Sequence, residues 1–175
     1  MRPMSDIDGE ELRWVKPKWS KLTFELRAGE AVVATLNWAR KSPPRGEWAG
    51  GQYLFDREGW LRPRILIRDA SAGEASEPVA TFTRRGGALT LSDGRQYRWE
   101  RPNLWTTKQI WRDSAGVELV RFAPKRGGAE VTVQSEAASL AELSLLLILG
   151  QYLLTIAAQE AQAATAATIV PVISG

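Results

Sequence analysis

From Trp14 to Gln134, apolar and polar residues alternate in short runs, the period of a strand with one buried face. Leu22, Phe24 and Leu26 alternate with Thr23, Glu25 and Arg27, and Val32, Ala34, Leu36 and Trp38 alternate after the turn Ala28-Gly29-Glu30, so the two runs predict a hairpin. Residues 39–47 hold Pro43, Pro44 and Gly46 and read as a loop. Further strands are predicted over Gln52–Phe55, Trp60–Arg68, Val79–Arg84, Ala88–Leu91, Gln96–Trp99, Trp105–Trp111, Val117–Phe122 and Ala129–Gln134. Asp56–Gly59, Asp69–Pro78, Asp113–Gly116 and Lys125–Gly128 are read as turns or loops. Asp93-Gly94 predicts a type I′ hairpin turn. Pro63 lacks a backbone donor and places its part of the strand at an edge or bulge. Some nine or ten strands at this spacing suit a sandwich or a barrel.

The period then changes. Ser139 and Glu142 have the spacing of a helix capping box. The run Leu143–Gln159 carries no charge, and its leucines and isoleucines fall on every side of a helix instead of along one stripe. Ala157–Thr168 is rich in alanine and able to continue it. A helix without a polar face needs apolar surroundings on all sides. Lipid is one, which would make the chain a tail-anchored protein. The flanks oppose that reading, because Glu142 and Glu160 bracket the run, no Lys or Arg follows Arg126, and Tyr152 lies mid-run. A second helix or a partner chain is another, but nothing else here reads as a long helix. The β structure itself is the third: at ~1.5 Å per residue an apolar run of this length is about as long as a barrel strand. The leading expectation is a mainly β fold, a closed antiparallel barrel of about 10–12 strands enclosing one hydrophobic C-terminal helix. Its divisions would be a leader over 1–12, the barrel over 13–158 with the helix at about 139–158, and an alanine-rich tail over 159–175.

Composition narrows the chemistry. The chain has no Cys and no His. That excludes disulfides, thiolate or imidazole zinc sites, and Ser-His-Asp or Cys-His catalysis. Its 23 basic and 20 acidic residues are unevenly spread, since only Glu136, Glu142 and Glu160 are charged after residue 134. The β region is therefore mildly basic, compatible with anionic partners. All eight tryptophans lie within it and read first as core rings, second as a ligand platform. Met1–Leu12 holds four acidic residues and no apolar run, unlike a signal peptide.

Two segments carry a resemblance: Leu89–Trp99, reading Leu-Thr-Leu-Ser-Asp-Gly-Arg-Gln-Tyr-Arg-Trp, and Glu142–Leu154. An antiparallel β domain with scattered tryptophans that ends in such a helix resembles the tubby C-terminal-like superfamily, which includes tubby domains, LURP-one-related proteins and phospholipid scramblases. The resemblance spans roughly Trp14–Ala158. It implies a twelve-strand closed barrel threaded by its C-terminal helix and, by analogy with tubby domains, binding of phosphoinositides through basic barrel residues. Scramblases also carry cysteine lipidation sites and an acidic calcium segment. This chain has no Cys, and Asp6–Glu11 does not continue as a calcium loop.

The candidate site is accordingly an anion or lipid-headgroup patch. Arg62, Arg64 and Arg68 share one parity, opposite Leu61, Ile65 and Ile67, and Arg98 lies opposite Tyr97 and Trp99. Asp56, Glu58, Asp93 and Glu100 are the carboxylates available to the alternative of a carboxylate-pair hydrolase. A carbohydrate-binding module is a third reading, requiring exposed coplanar tryptophans. Basic and aromatic residues interleave at Arg95–Trp99 and Trp105–Arg112, but the charge surplus is small for a nucleic-acid partner. The expectation is a monomeric, cytoplasmic binding or scaffold domain at anionic membrane surfaces, without catalytic residues, metal or cofactor.

Overall fold

The computed structural model describes residues 1, 11–18, 22–38, 42–59, 63–73 and 76–168. The elements run β1 (Leu12–Val15), β2 (Thr23–Ala28), β3 (Ala31–Asn37), β4 (Arg45–Trp48), β5 (Gly51–Glu58), β6 (Arg64–Asp69), β7 (Ala80–Thr83), β8 (Ala88–Leu91), β9 (Gln96–Glu100), β10 (Gln109–Asp113), β11 (Glu118–Lys125), β12 (Gly128–Val133) and α1 (Leu143–Thr168). Each strand pairs antiparallel with the next, and β1 pairs with β12, so the sheet closes into a twelve-strand barrel with no open edge. The closing register sets Leu12 against Val131 and Trp14 against Ala129.

The helix runs inside this barrel. Leu145–Leu149 and Tyr152 are fully or almost fully buried, as are the wall residues Leu26, Leu36, Ile65, Ile67, Leu89 and Phe122 that face them. Strand alternation supplies the inward residues, and the helix needs no polar face because wall surrounds it. Each large aliphatic side chain enclosed this way contributes about 1.5–3 kcal/mol. Aromatic rings fill the gap between helix and wall. Tyr152 stacks on Phe55 and tilts against Trp38, with ring centres 4.9 Å apart in both pairs. The Trp111 indole N–H donates to the Leu146 carbonyl at 2.8 Å, tying β10 to the helix at mid-depth. Two glycines allow close approach. A methyl group at Gly46 would meet the Ile148 side chain, and one at Gly150 would meet the Phe122 ring.

The local departures from the pattern have physical reasons. Residues 45–48 are strand, not loop. Gly46 looks like a breaker, but it sits where the wall must make room for Ile148. Asp56–Glu58 continue β5 instead of turning, since they pair with Leu66, Ile65 and Arg64 of β6. β10 begins at Gln109, so Trp105 to Lys108 lie in a loop. The Asp93-Gly94 turn is not type I′, because no described non-glycine residue has positive φ. It is a turn closed by the Gly94 N–H on the Leu91 carbonyl at 3.0 Å, with Gly94 at φ 89°. The capping box does not form: Glu142 directly precedes the helix and its carboxylate accepts from Arg95 Nη1 at 2.6 Å and from the Tyr97 hydroxyl. The helix extends to Thr168, ten residues beyond the expected end, and Leu12 belongs to β1 rather than to a leader.

Candidate functional site

The arginines singled out from the sequence do not form one patch. Arg64 and Arg68 do project outward from β6, with Ile65 and Ile67 on the inner side. Each faces a carboxylate of β5: Arg64 Nη2 donates to Glu58 at 3.0 Å, and Arg68 Nη1 lies 3.6 Å from Asp56. Arg68 is mostly covered, and its Nε and Nη1 have no hydrogen-bond partner. Arg98 is exposed on β9, with β7 and β8 between it and β6, in a mixed-charge groove with Glu100, Arg112 and Asp113. Arg62 lies outside the described residues. Two of the three described arginines are thus neutralised in place, and the third stands apart from them.

The carboxylates are equally committed. Asp56, Glu58, Asp93 and Glu100 each form an ion pair, with Arg68, Arg64, Arg95 and Arg112. Backbone and side-chain bonds from Arg95 hold Asp93 below the usual carboxylate range. Among the described residues no three His, Cys, Asp or Glu gather as a metal site would require. Of the described tryptophans, Trp14 and Trp111 are buried, Trp38, Trp48 and Trp99 pack against the core, and only Trp105 is exposed. Trp19 and Trp60 lie outside the described residues.

The two ends of the barrel differ far more than its sides. The helix enters at one end and leaves at the other. Among the described residues, the loops at the entry end carry Glu11, Glu30, Glu77, Asp93, Glu136 and Glu142, with Arg95 as their single cation. The described residues of the exit-end loops carry Lys16, Lys18, Arg84, Arg85, Arg101, Lys108 and Arg126, and no carboxylate. The adjoining strand ends add Glu58, Glu100 and Glu130, held by Arg64, Arg112 and Lys125. The molecule is therefore electrically polar along the helix axis, with a positive field at the exit.

The most prominent feature at that end is the connection from β9 to β10, residues 101–108. At its tip Leu104 is 89% exposed and Trp105 96% exposed, the largest apolar exposures among the described residues. Asn103 Oδ1 accepts from the Trp105 N–H and Thr106 Oγ1 from the Lys108 N–H, both at 3.1 Å, so local bonds fix the turn that holds the tip outward. Arg101 and Lys108 stand at its two bases.

The emerging helix is fastened to one side of this mouth. Glu160 accepts a forked pair of bonds from Arg84 at 2.7 and 2.8 Å, with Arg57 at 3.7 Å, and the Arg84 bonds hold its carboxyl below the usual range. On the other side a cleft of about 460 Å³ remains between helix and wall. Lys16, Arg101 and Lys125 line it, with no carboxylate among its lining residues. Gln151, buried in its floor, donates to Thr155 Oγ1 at 3.4 Å and leaves its Oε1 without a partner.

The pattern reading missed this end because it treats each strand separately, and end-to-end polarity appears only when alternate loops are grouped by antiparallel order. The signal was nonetheless present. Pro102-Asn103 and Thr106-Thr107 flank Leu104-Trp105 with turn-forming residues, which favours a loop over a strand start. Comparison with family models, with curated proteins and with solved structures finds no match to the chain.

Proposed function

We propose that this protein is a non-enzymatic binding module of the tubby-like kind that docks on anionic membrane surfaces, with the helix-exit end of its barrel facing the lipid. The observation that carries the reading is the segregation of loop charge along the barrel axis: among the described residues, cations without carboxylates at the exit, carboxylates with one cation at the entry. A dipolar body of this kind orients before contact in the field of a negative leaflet. The closed barrel threaded by an apolar helix is the architecture that the tubby-like resemblance implies. Membrane docking accounts for the exit loops without a catalytic pair or a metal. A nucleic-acid track would set several aromatics among the cations to stack on bases, whereas the one exposed indole among the described residues has a leucine for its neighbour.

Co-sedimentation of the full chain with vesicles tests the proposal. Binding is expected to vesicles of phosphatidylcholine with added phosphatidylserine, to be lost at high salt, and to be weak without the anionic lipid. Each cation near such a surface contributes about 1 kcal/mol, so Arg101→Glu with Lys108→Glu weakens binding at least about thirtyfold. Reversal of Arg64 and Arg98 on the barrel wall has a smaller effect. Equal binding to neutral vesicles, or indifference to the Arg101 and Lys108 reversal, would refute it.

A further inference from the structure

We infer that the Leu104–Trp105 tip is an insertion element, which enters the interfacial layer of an anionic bilayer and converts electrostatic docking into anchoring. The inference rests on the docking reading for its partner and adds to it a penetrating contact. Four features support it. Large apolar side chains this exposed, adjacent and at a loop apex, form a contact surface with no function inside the fold. The hydrogen bonds from Asn103 and Thr106 fix the loop before contact, so little ordering cost falls on insertion. Arg101 and Lys108 flank the tip, at the level where lipid phosphates lie once an indole reaches the interface, the depth that tryptophan prefers. The other described exit loops add Lys16, Lys18, Arg85 and Arg126 at the same end of the barrel, besides Arg84, which holds Glu160 of the emerging helix. A protein partner presents both signs of charge. An apolar tip on a barrel end with a cationic excess instead complements a plane of one sign with an apolar interior.

The helix supplies a second contact from the same end. Beyond Ile156 it emerges from the barrel, and Ala157, Ala158, Ala161, Ala163, Ala164 and Ala166 are exposed on it. Glu160, the only ionisable residue in that stretch, is already held by Arg84. The inserted tip and the helix end therefore point the same way, and the barrel stands with its axis across the membrane surface.

Partition of the full chain between buffer and phosphatidylserine-containing vesicles, read together with tryptophan quenching by lipids brominated along the acyl chain, tests this. Leu104→Ser with Trp105→Ser is expected to weaken partition about 100-fold, the transfer of a leucine and a partly inserted indole, while its thermal melt stays at the wild-type value because both positions are exposed. The residual binding keeps its salt sensitivity. Bromine quenching is expected in the wild type and absent from Trp105→Phe, which still binds. Unchanged partition of the double serine variant overturns insertion and leaves docking standing. Quenching that persists in Trp105→Phe overturns it too, because another ring then penetrates. A wild type that binds no vesicle overturns both.

Discussion

Gly150→Ala should destabilise this protein, although alanine is the better helix former. In a helix interior the exchange alone favours alanine by about 1 kcal/mol. Gly150, however, faces the tip of the Phe122 ring on β11, and a Cβ built there lies 2.7 Å from Phe122 Cε2 and nearer still to Cζ. The ring cannot swing clear, because it is fully buried and packs edge-on against Trp99 at 5.3 Å. Forcing a methyl into a closed core costs about 1–3 kcal/mol, and a rigid aromatic wall places this case in the upper half of that range. The net loss is then about 1–2 kcal/mol, a fall in Tm of about 2–8 °C for a chain of this length. Urea unfolding followed by tryptophan emission measures it. Phe122→Leu removes the ring tip, so the pair Gly150→Ala with Phe122→Leu should lose less than the sum of the single variants, with a coupling of about 1 kcal/mol. A Gly150→Ala protein as stable as the wild type, or strict additivity in the pair, would mean that the helix does not seat against β11 at this depth.

Other substitutions probe the same packing. Burial pushes the Tyr152 phenol up to about 12, and its hydroxyl has no partner. Because the folded value lies above the unfolded one, the wild type keeps its full stability below about pH 10 and loses it as pH rises toward 12. Tyr152→Phe should be as stable or about 1 kcal/mol more stable at neutral pH and should lack that part of the alkaline loss, measured as the difference between the two unfolding profiles. Tyr97→Phe deprives buried Glu142 of a donor beside its still unpartnered Oε2 and should cost about 1–3 kcal/mol in chemical denaturation. Leu147→Lys places a charge where no surface is exposed and should abolish folding, seen as loss of the cooperative thermal transition. Glu160 titrates below the ordinary carboxylate range through its Arg84 bonds. The clasp therefore holds through that range and opens only as pH falls below it, so Glu160→Gln should raise amide exchange over residues 157–166 at neutral pH and remove this low-pH opening.

Much of the barrel is legible because strand and helix have different periods. Ala88–Leu91 falls where its alternation places it, and the uncharged run from Leu143 announces a helix surrounded on all sides. Legibility fails where a residue serves a neighbour remote in sequence. Gly46 reads as a breaker, but it accommodates Ile148, about a hundred residues later. Glu142 reads as a local cap and is instead claimed by Arg95 and Tyr97. The candidate site was less legible still. Arg64 and Arg68 do share a parity, but parity cannot show that Glu58 and Asp56 stand opposite them on β5. The basic end is assembled from loops far apart in the chain, and only the closed strand order brings them together.

That strand order also governs how the chain can acquire its structure. The ring closes between β1 and β12, and the helix that fills it follows all twelve strands. As the polypeptide leaves the ribosome, the inward faces of the strands emerge with nothing to pack on, and hairpins can form locally but cannot close around an empty centre. Folding must therefore await the helix and then proceed in a single cooperative step dominated by contacts distant in sequence, which is intrinsically slow. Until that step the inward faces of those hairpins should stay uncovered. Production of the protein should therefore depend on holding chaperones far more than its compact final form suggests.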